Sequence, residues 1–233
     1  MKTKFCLPVI KETIEDVQKA IEQYRSEYDM FEVWVDYICE PNPMIFSLVE
    51  DLSTKFGNRL IVVFRRKKGE AIHMSFENRM EIIKRLSQTK TFVDLDIEKQ
   101  KQDLEEIDKQ KIKANIIASF HDFEKTPRTS ALVKIIKGMD VFHPAIYKIA
   151  TFCQSQKKAV SLLHLLLDLK EQKKKCIILG MGKHGTITRI FGSLWGNEMI
   201  FAPVDVSQQS APGQLTKRQL EQIFAIVEED YAG

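Results

Sequence analysis

Five short apolar runs carry a polar side chain at or near their ends: Glu32, Arg65, Asp96, His121 and Lys148. Along a strand, successive side chains point to opposite faces. In 31–37, Val33 and Val35 share one face, and Glu32, Trp34 and Asp36 share the other. In 91–97, Val93, Leu95 and Ile97 oppose Asp94 and Asp96. Ile116, Ala118 and Phe120 oppose Ser119 and His121, and Lys148 opposes Tyr147 and Ile149. With the apolar faces turned to helices, the polar groups converge at one end of one interior. Buried charges are costly unless they pair or work. A partly desolvated lysine near other cations is expected to have a lowered pKa, and its amine condenses with carbonyls to an imine, an electron sink. A histidine beside it moves protons, and a carboxylate such as Asp96 fixes the tautomer of that histidine and raises its basicity. Arginines hold an anionic, hydroxylated substrate. These residue types lead to lysine-based carbonyl chemistry and leave an aldolase, a transaldolase and a dehydratase open.

Such a convergence requires strands arranged around a common axis. Eight strand-like runs lie at 4–8, 31–37, 60–65, 91–97, 115–121, 146–150, 176–180 and 199–203, and a helical pattern follows nearly every one. Ile14, Val17, Ile21 and Tyr24 recur at helical steps behind a capping box formed by Thr13 and Asp16. Phe76, Met80, Ile83 and Leu86 do the same, as do Leu162, Leu163, Leu166 and Leu167. Thr216 and Gln219 cap a last helix containing Leu220, Ile223 and Val227. Strand–helix alternation means parallel strands with helical crossovers. Eight repeats predict a single-domain α/β chain, a (β/α)8 TIM barrel over 1–233, with chemistry at the C-terminal ends of its strands. An open doubly wound sheet is the competing architecture, and the G-x-G-x-x-G that marks its nucleotide site is absent.

The bulk properties narrow the function classes. A net charge of +3 does not imply a polyanion, and the basic stretches 65–68, 109–113 and 173–175 sit among acids at element ends, so no nucleic-acid partner is expected. Cys6, Cys39, Cys153 and Cys176 are scattered, as in a reduced cytoplasmic protein. The apolar run 5–10 is shorter than a signal-peptide core of about 7–15 residues. No stretch approaches the roughly 18 apolar residues of a membrane span. His73, His143, His164 and His184 stand in loops, at a strand start or in a leucine-rich helix, and no metal-ligand spacing is present.

Three segments carry a family resemblance: Ser119-Phe120-His121-Asp122-Phe123-Glu124-Lys125-Thr126-Pro127, Tyr147-Lys148-Ile149-Ala150 and Ser210-Ala211-Pro212-Gly213-Gln214. With Phe64-Arg65, Gly180-Met181-Gly182, Gly185 and Thr188-Arg189 in the same order, the chain resembles type I 3-dehydroquinate dehydratases nearly end to end. The resemblance implies a (β/α)8 barrel that needs no cofactor, with Lys148 as Schiff-base lysine and His121 as general acid/base. Glu32, Arg65, Arg189, Ser210 and Gln214 would hold the hydroxyls and carboxylate of 3-dehydroquinate, and loop 210–214 would close over it. A homodimer is also implied. Two positions depart from the family pattern. Asp96 stands where the family has glutamate, with Glu98 of the same parity nearby, and Trp34 stands where it has a substrate-binding arginine. These departures make altered substrate preference, or binding without turnover, the alternatives to dehydration.

Overall fold

The computed structural model describes residues 4–67 and 70–229. Eight strands follow one another around a single parallel sheet: β1 (Phe5–Val9), β2 (Met30–Trp34), β3 (Leu60–Val63), β4 (Phe92–Asp96), β5 (Asn115–Asp122), β6 (Ile146–Phe152), β7 (Cys176–Met181) and β8 (Ile200–Phe201). Eight α-helices alternate with them: α1 (Ile14–Tyr24), α2 (Asn42–Phe56), α3 (Phe76–Arg85), α4 (Lys101–Lys109), α5 (Thr129–Asp140), α6 (Gln156–Glu171), α7 (Thr186–Leu194) and α8 (Lys217–Glu229). The strand order β7-β6-β5-β4-β3-β2-β1-β8 makes a nearly closed (β/α)8 barrel. Of the expected unit 1–233, residues 1–3, 68–69 and 230–233 lie outside the described residues, and with them Lys68 of the basic stretch 65–68.

The expected local signals form. Thr13 accepts from the amide of Asp16 at the start of α1, and Thr216 and Gln219 exchange hydrogen bonds ahead of α8. The strands are buried along their length because helices cover them outside and side chains fill them inside. In α6, Leu162, Leu163 and Leu166 are buried with Leu165 and Leu169, while Leu167 faces outward.

The seam between β7 and β8 is closed by a side chain. Asn197 accepts from the Ile178 amide at 2.7 Å and donates to the Ile178 carbonyl at 3.1 Å, as a paired strand residue would. The Glu198 amide adds a bond to the Cys176 carbonyl. Beyond β7 the chain turns back on itself so closely that a Cβ on Gly185 would sit 2.3 Å from the Gly180 carbonyl carbon. Glycine at both positions lets the start of α7 approach the strand end and carry Arg189 to the barrel mouth.

One expectation about β2 needs correction. The strand ends at Trp34, and Val35–Tyr37 forms a 3-10 turn. That turn takes Asp36 out of the inward set. Its carboxylate instead accepts from the backbone amides of His73 and Met74, tying the loop after β3 to the end of β2.

Candidate active site

The inward groups of β2, β4, β5 and β6 meet Arg65, from the segment after β3, inside the barrel. Lys148, from β6, is buried, and its Nζ lies 2.7 Å from Asp94 Oδ2 of β4 and 3.0 Å from Glu32 Oε1 of β2. The Phe201 ring of β8 stands 4.1 Å from the same nitrogen. Arg65 follows β3, and its Nη2 donates to Asp94 Oδ1 at 2.6 Å and to Ser119 Oγ of β5 at 2.9 Å. Ser119 in turn donates to Asp94 at 2.6 Å. Asp94 is thus the hub that joins the lysine to the arginine. Parity placed Asp94 and Ser119 inward but gave neither a role. Their partners come from other strands, and only the register of the folded sheet brings them together.

The electrostatics follow from burial and pairing. Burial disfavours the charge on Lys148, but Asp94 and Glu32 outweigh it and hold the ammonium above its ordinary pKa. The lowered pKa expected from neighbouring cations is therefore corrected, because two carboxylates are hydrogen-bonded to Nζ. Burial would raise the Asp94 pKa, yet Arg65 and Lys148 pull it far below the usual carboxylate range. Arg65 is held above its ordinary value because Asp94 and Glu32 overcome its burial.

His121, at the end of β5, stands beside this cluster. Its Nδ1 lies 3.0 Å from Asp96 Oδ2, so aspartate at this position reaches the imidazole, and Asp96 rather than Glu98 makes the contact. Asp96 is itself fixed by the amides of Glu98 and Lys99. Burial first, then the charge of Arg65, lowers the His121 pKa to about 4 against the opposing pull of Asp96. The expected rise in basicity is thus reversed, since one carboxylate does not offset desolvation and nearby cations. At neutral pH the imidazole is uncharged. A carboxylate acceptor at Nδ1 assigns the proton there and leaves Nε2 as the basic nitrogen. Phe123 stacks against the ring.

The remaining expected residues line the same pocket over the lysine. Arg189 in α7 is buried, and its Nε and Nη1 have no hydrogen-bond partner among the described residues. Burial lowers its pKa to about 10, which leaves it charged at neutral pH. A buried, unpaired guanidinium is costly and suits an incoming anion. Loop 210–214 closes one side. Gln214 Oε1 accepts from the amides of Ser210 and Ala211, and Gln214 Nε2 donates to Ser210 Oγ at 2.9 Å. Trp34 also lines the pocket, and its Nε1 donates to Glu32 Oε2 at 2.7 Å. Asp96 lies outside this lining, behind His121, against an adjoining pocket. Among the described residues no group of three or more His, Cys, Asp or Glu side chains could hold a metal ion. No described helix is long and apolar enough to cross a membrane.

Comparison with known proteins finds relatives along nearly the whole chain. The chain is 31% identical to a 3-dehydroquinate dehydratase of Methanococcus maripaludis strain C5 over 227 residues, covering 96% of this chain and 99% of that protein. It is 31% identical to the 3-dehydroquinate dehydratase of Methanocaldococcus jannaschii over 229 residues, with coverages of 96% and 98%. The crystal structure of the Geobacillus kaustophilus 3-dehydroquinate dehydratase superposes with a TM-score of 0.82 at 21% identity, covering 98% of this chain and 92% of that one. The Clostridium difficile type I enzyme, solved with covalently modified comenic acid, gives 0.80 at 22% identity, with coverages of 98% and 94%. Those two likenesses concern the fold. The family model for type I 3-dehydroquinase matches residues 5–231, the whole barrel that presents the buried lysine and its histidine. The chain belongs to the type I 3-dehydroquinase family.

Proposed function

We propose that this protein dehydrates 3-dehydroquinate to 3-dehydroshikimate through an imine on Lys148, with His121 moving the protons. The observation that carries the reading is the conjunction in one pocket of a buried lysine, a neutral histidine and a buried arginine whose Nε and Nη1 are unpartnered. Arg189 pairs with the substrate carboxylate, while Arg65, Ser210 and Gln214 meet its hydroxyls. The Lys148 amine condenses with the ketone and releases water. The cationic iminium acidifies the adjacent C–H, and His121 Nε2 removes that proton to give an enamine. The enamine expels the hydroxyl β to the former ketone, which leaves as water with the proton from His121. Hydrolysis of the iminium frees the enone and restores Lys148. Asp96 keeps the imidazole oriented through both proton transfers. Loop 210–214 limits water access to the intermediate.

The enone product has a conjugated absorbance that the substrate lacks, which gives a direct assay. Turnover of 3-dehydroquinate by the purified protein, lost in Lys148→Ala and reduced on the order of 100-fold or more in His121→Ala, supports this reading. Tight binding of 3-dehydroquinate with no absorbance change identifies a binding protein instead.

A further inference from the structure

Lys148 must lose a proton before it can attack, and two carboxylates are within hydrogen-bond reach of its Nζ among the described residues: Asp94 at 2.7 Å and Glu32 at 3.0 Å. They are not equivalent. Asp94 accepts at the same time from Arg65, Ser119 and Lys148. Protonating Asp94 would leave the Arg65 guanidinium against a neutral acid in a dry interior, and its pKa is held far below the usual range. Glu32 accepts from Lys148 on Oε1 and from the neutral indole N–H of Trp34 on Oε2. A proton passed from Lys148 to Glu32 neutralises both groups together and leaves no cation without its partner. The other ionisable groups that act on this neighbourhood are Arg65 from after β3, Asp94 from β4, His121 from β5 and Cys6 from β1.

We infer that Glu32, held by Trp34, is the acid/base partner of Lys148 in imine formation, in addition to any contact it makes with substrate. Deeper than the proposed dehydration, this role rests on it. The ammonium of Lys148 gives one proton to the Glu32 carboxylate. The free amine adds to the ketone, and the proton on nitrogen passes to the oxygen to give a neutral carbinolamine. The Glu32 acid then protonates the carbinolamine hydroxyl, which leaves as water. The products are the iminium and a regenerated Glu32 carboxylate, so the three ammonium protons end as one on nitrogen and two in water. Hydrolysis at the end of the cycle reverses these transfers.

The test is the rate of adduct formation with 3-dehydroquinate, quenched with borohydride at millisecond intervals and read by mass, over a range of substrate concentrations. Glu32→Gln preserves size and one of the two acceptor oxygens, so it can accept from Lys148 or from Trp34 but not from both. Pairwise electrostatics alone would make Lys148 easier to deprotonate once Glu32 is neutral, and would speed attack. The proton-transfer role predicts the opposite: a limiting rate lower on the order of 100-fold, with the half-saturating concentration little changed. In Glu32→Ala, added formate should restore part of the limiting rate, a result that an unfolded variant cannot give. A limiting rate equal to or above that of the unmodified protein, with only half-saturation weakened, makes Glu32 a binding group and overturns the role. Failure of formate to restore any rate in Glu32→Ala also overturns it. No adduct in the unmodified protein would instead remove the imine itself, a separate failure that takes this proposal with it.

Discussion

At the scale of single residues, the site separates its proton carriers by environment. The Lys148 charge is held up by two carboxylates, and the His121 charge is held down by burial and Arg65. A histidine of pKa about 4 keeps its base form far below the ordinary 6.5. The acid limb of kcat/KM is therefore expected near about 4 rather than near 6.5, and a pH–rate profile checks it. The sign for stability is also set. Below 6.5 the unfolded chain takes up a proton that the folded His121 refuses, so His121 makes stability fall as pH drops from 6.5 to about 4. Arg189 gives a second test. Replacing it with Gln removes the charge that we pair with the substrate carboxylate, a loss of about 1.5–3 kcal/mol. Steady-state kinetics should show this mainly as a raised KM, with the Lys148 adduct still formed at saturation. The convergence of these residues was legible in the sequence because a lysine, a histidine and carboxylates fall at inward positions of their strands. Their protonation states were not, since those depend on distances that parity does not supply.

Secondary structure explains which residues reach the pocket and which do not. All eight strands were legible as apolar runs; the capping box at α8 formed as read, and at α1 Thr13 accepts from the Asp16 amide as its half of the box requires. The end of β2 was not legible. Val35 and Tyr37 continue an alternating pattern, yet the chain turns after Trp34 because Asp36 binds two amides of the next loop. Closure of the barrel was equally hidden, since it depends on Asn197, a residue with no hydrophobic signal. Its side chain satisfies both polar groups of Ile178 in the buried seam. Asn197→Ala strands a backbone donor and acceptor, each costing about 1–3 kcal/mol. Urea unfolding is expected to show a loss of about 2–6 kcal/mol with an unchanged slope. A loss under about 0.5 kcal/mol, the range of an ordinary surface substitution, would mean that β8 is held by other contacts.

Taken as a whole molecule, the barrel and the site share one polar network. Asp94 joins β4 to β6 through Lys148, to β5 through Ser119 and to the end of β3 through Arg65, and Glu32 extends the network to β2. Asp94→Asn leaves two buried cations short of a counter-charge, and breaking such a pair costs about 3–5 kcal/mol. Denaturation of that variant should show a loss of this size, little altered by salt because buried pairs are weakly screened. The chain carries a small net charge of +3, and the candidate site lies at the barrel mouth. The proposed dehydration stands on a covalent imine between Lys148 and 3-dehydroquinate. Borohydride reduction of the protein with this substrate, followed by peptide mass spectrometry, tests it most directly. One reduced adduct is expected, on the peptide containing Lys148 and absent from Lys148→Ala. An unmodified Lys148 peptide at saturating substrate, or an equal adduct on another lysine in Lys148→Ala, would contradict it.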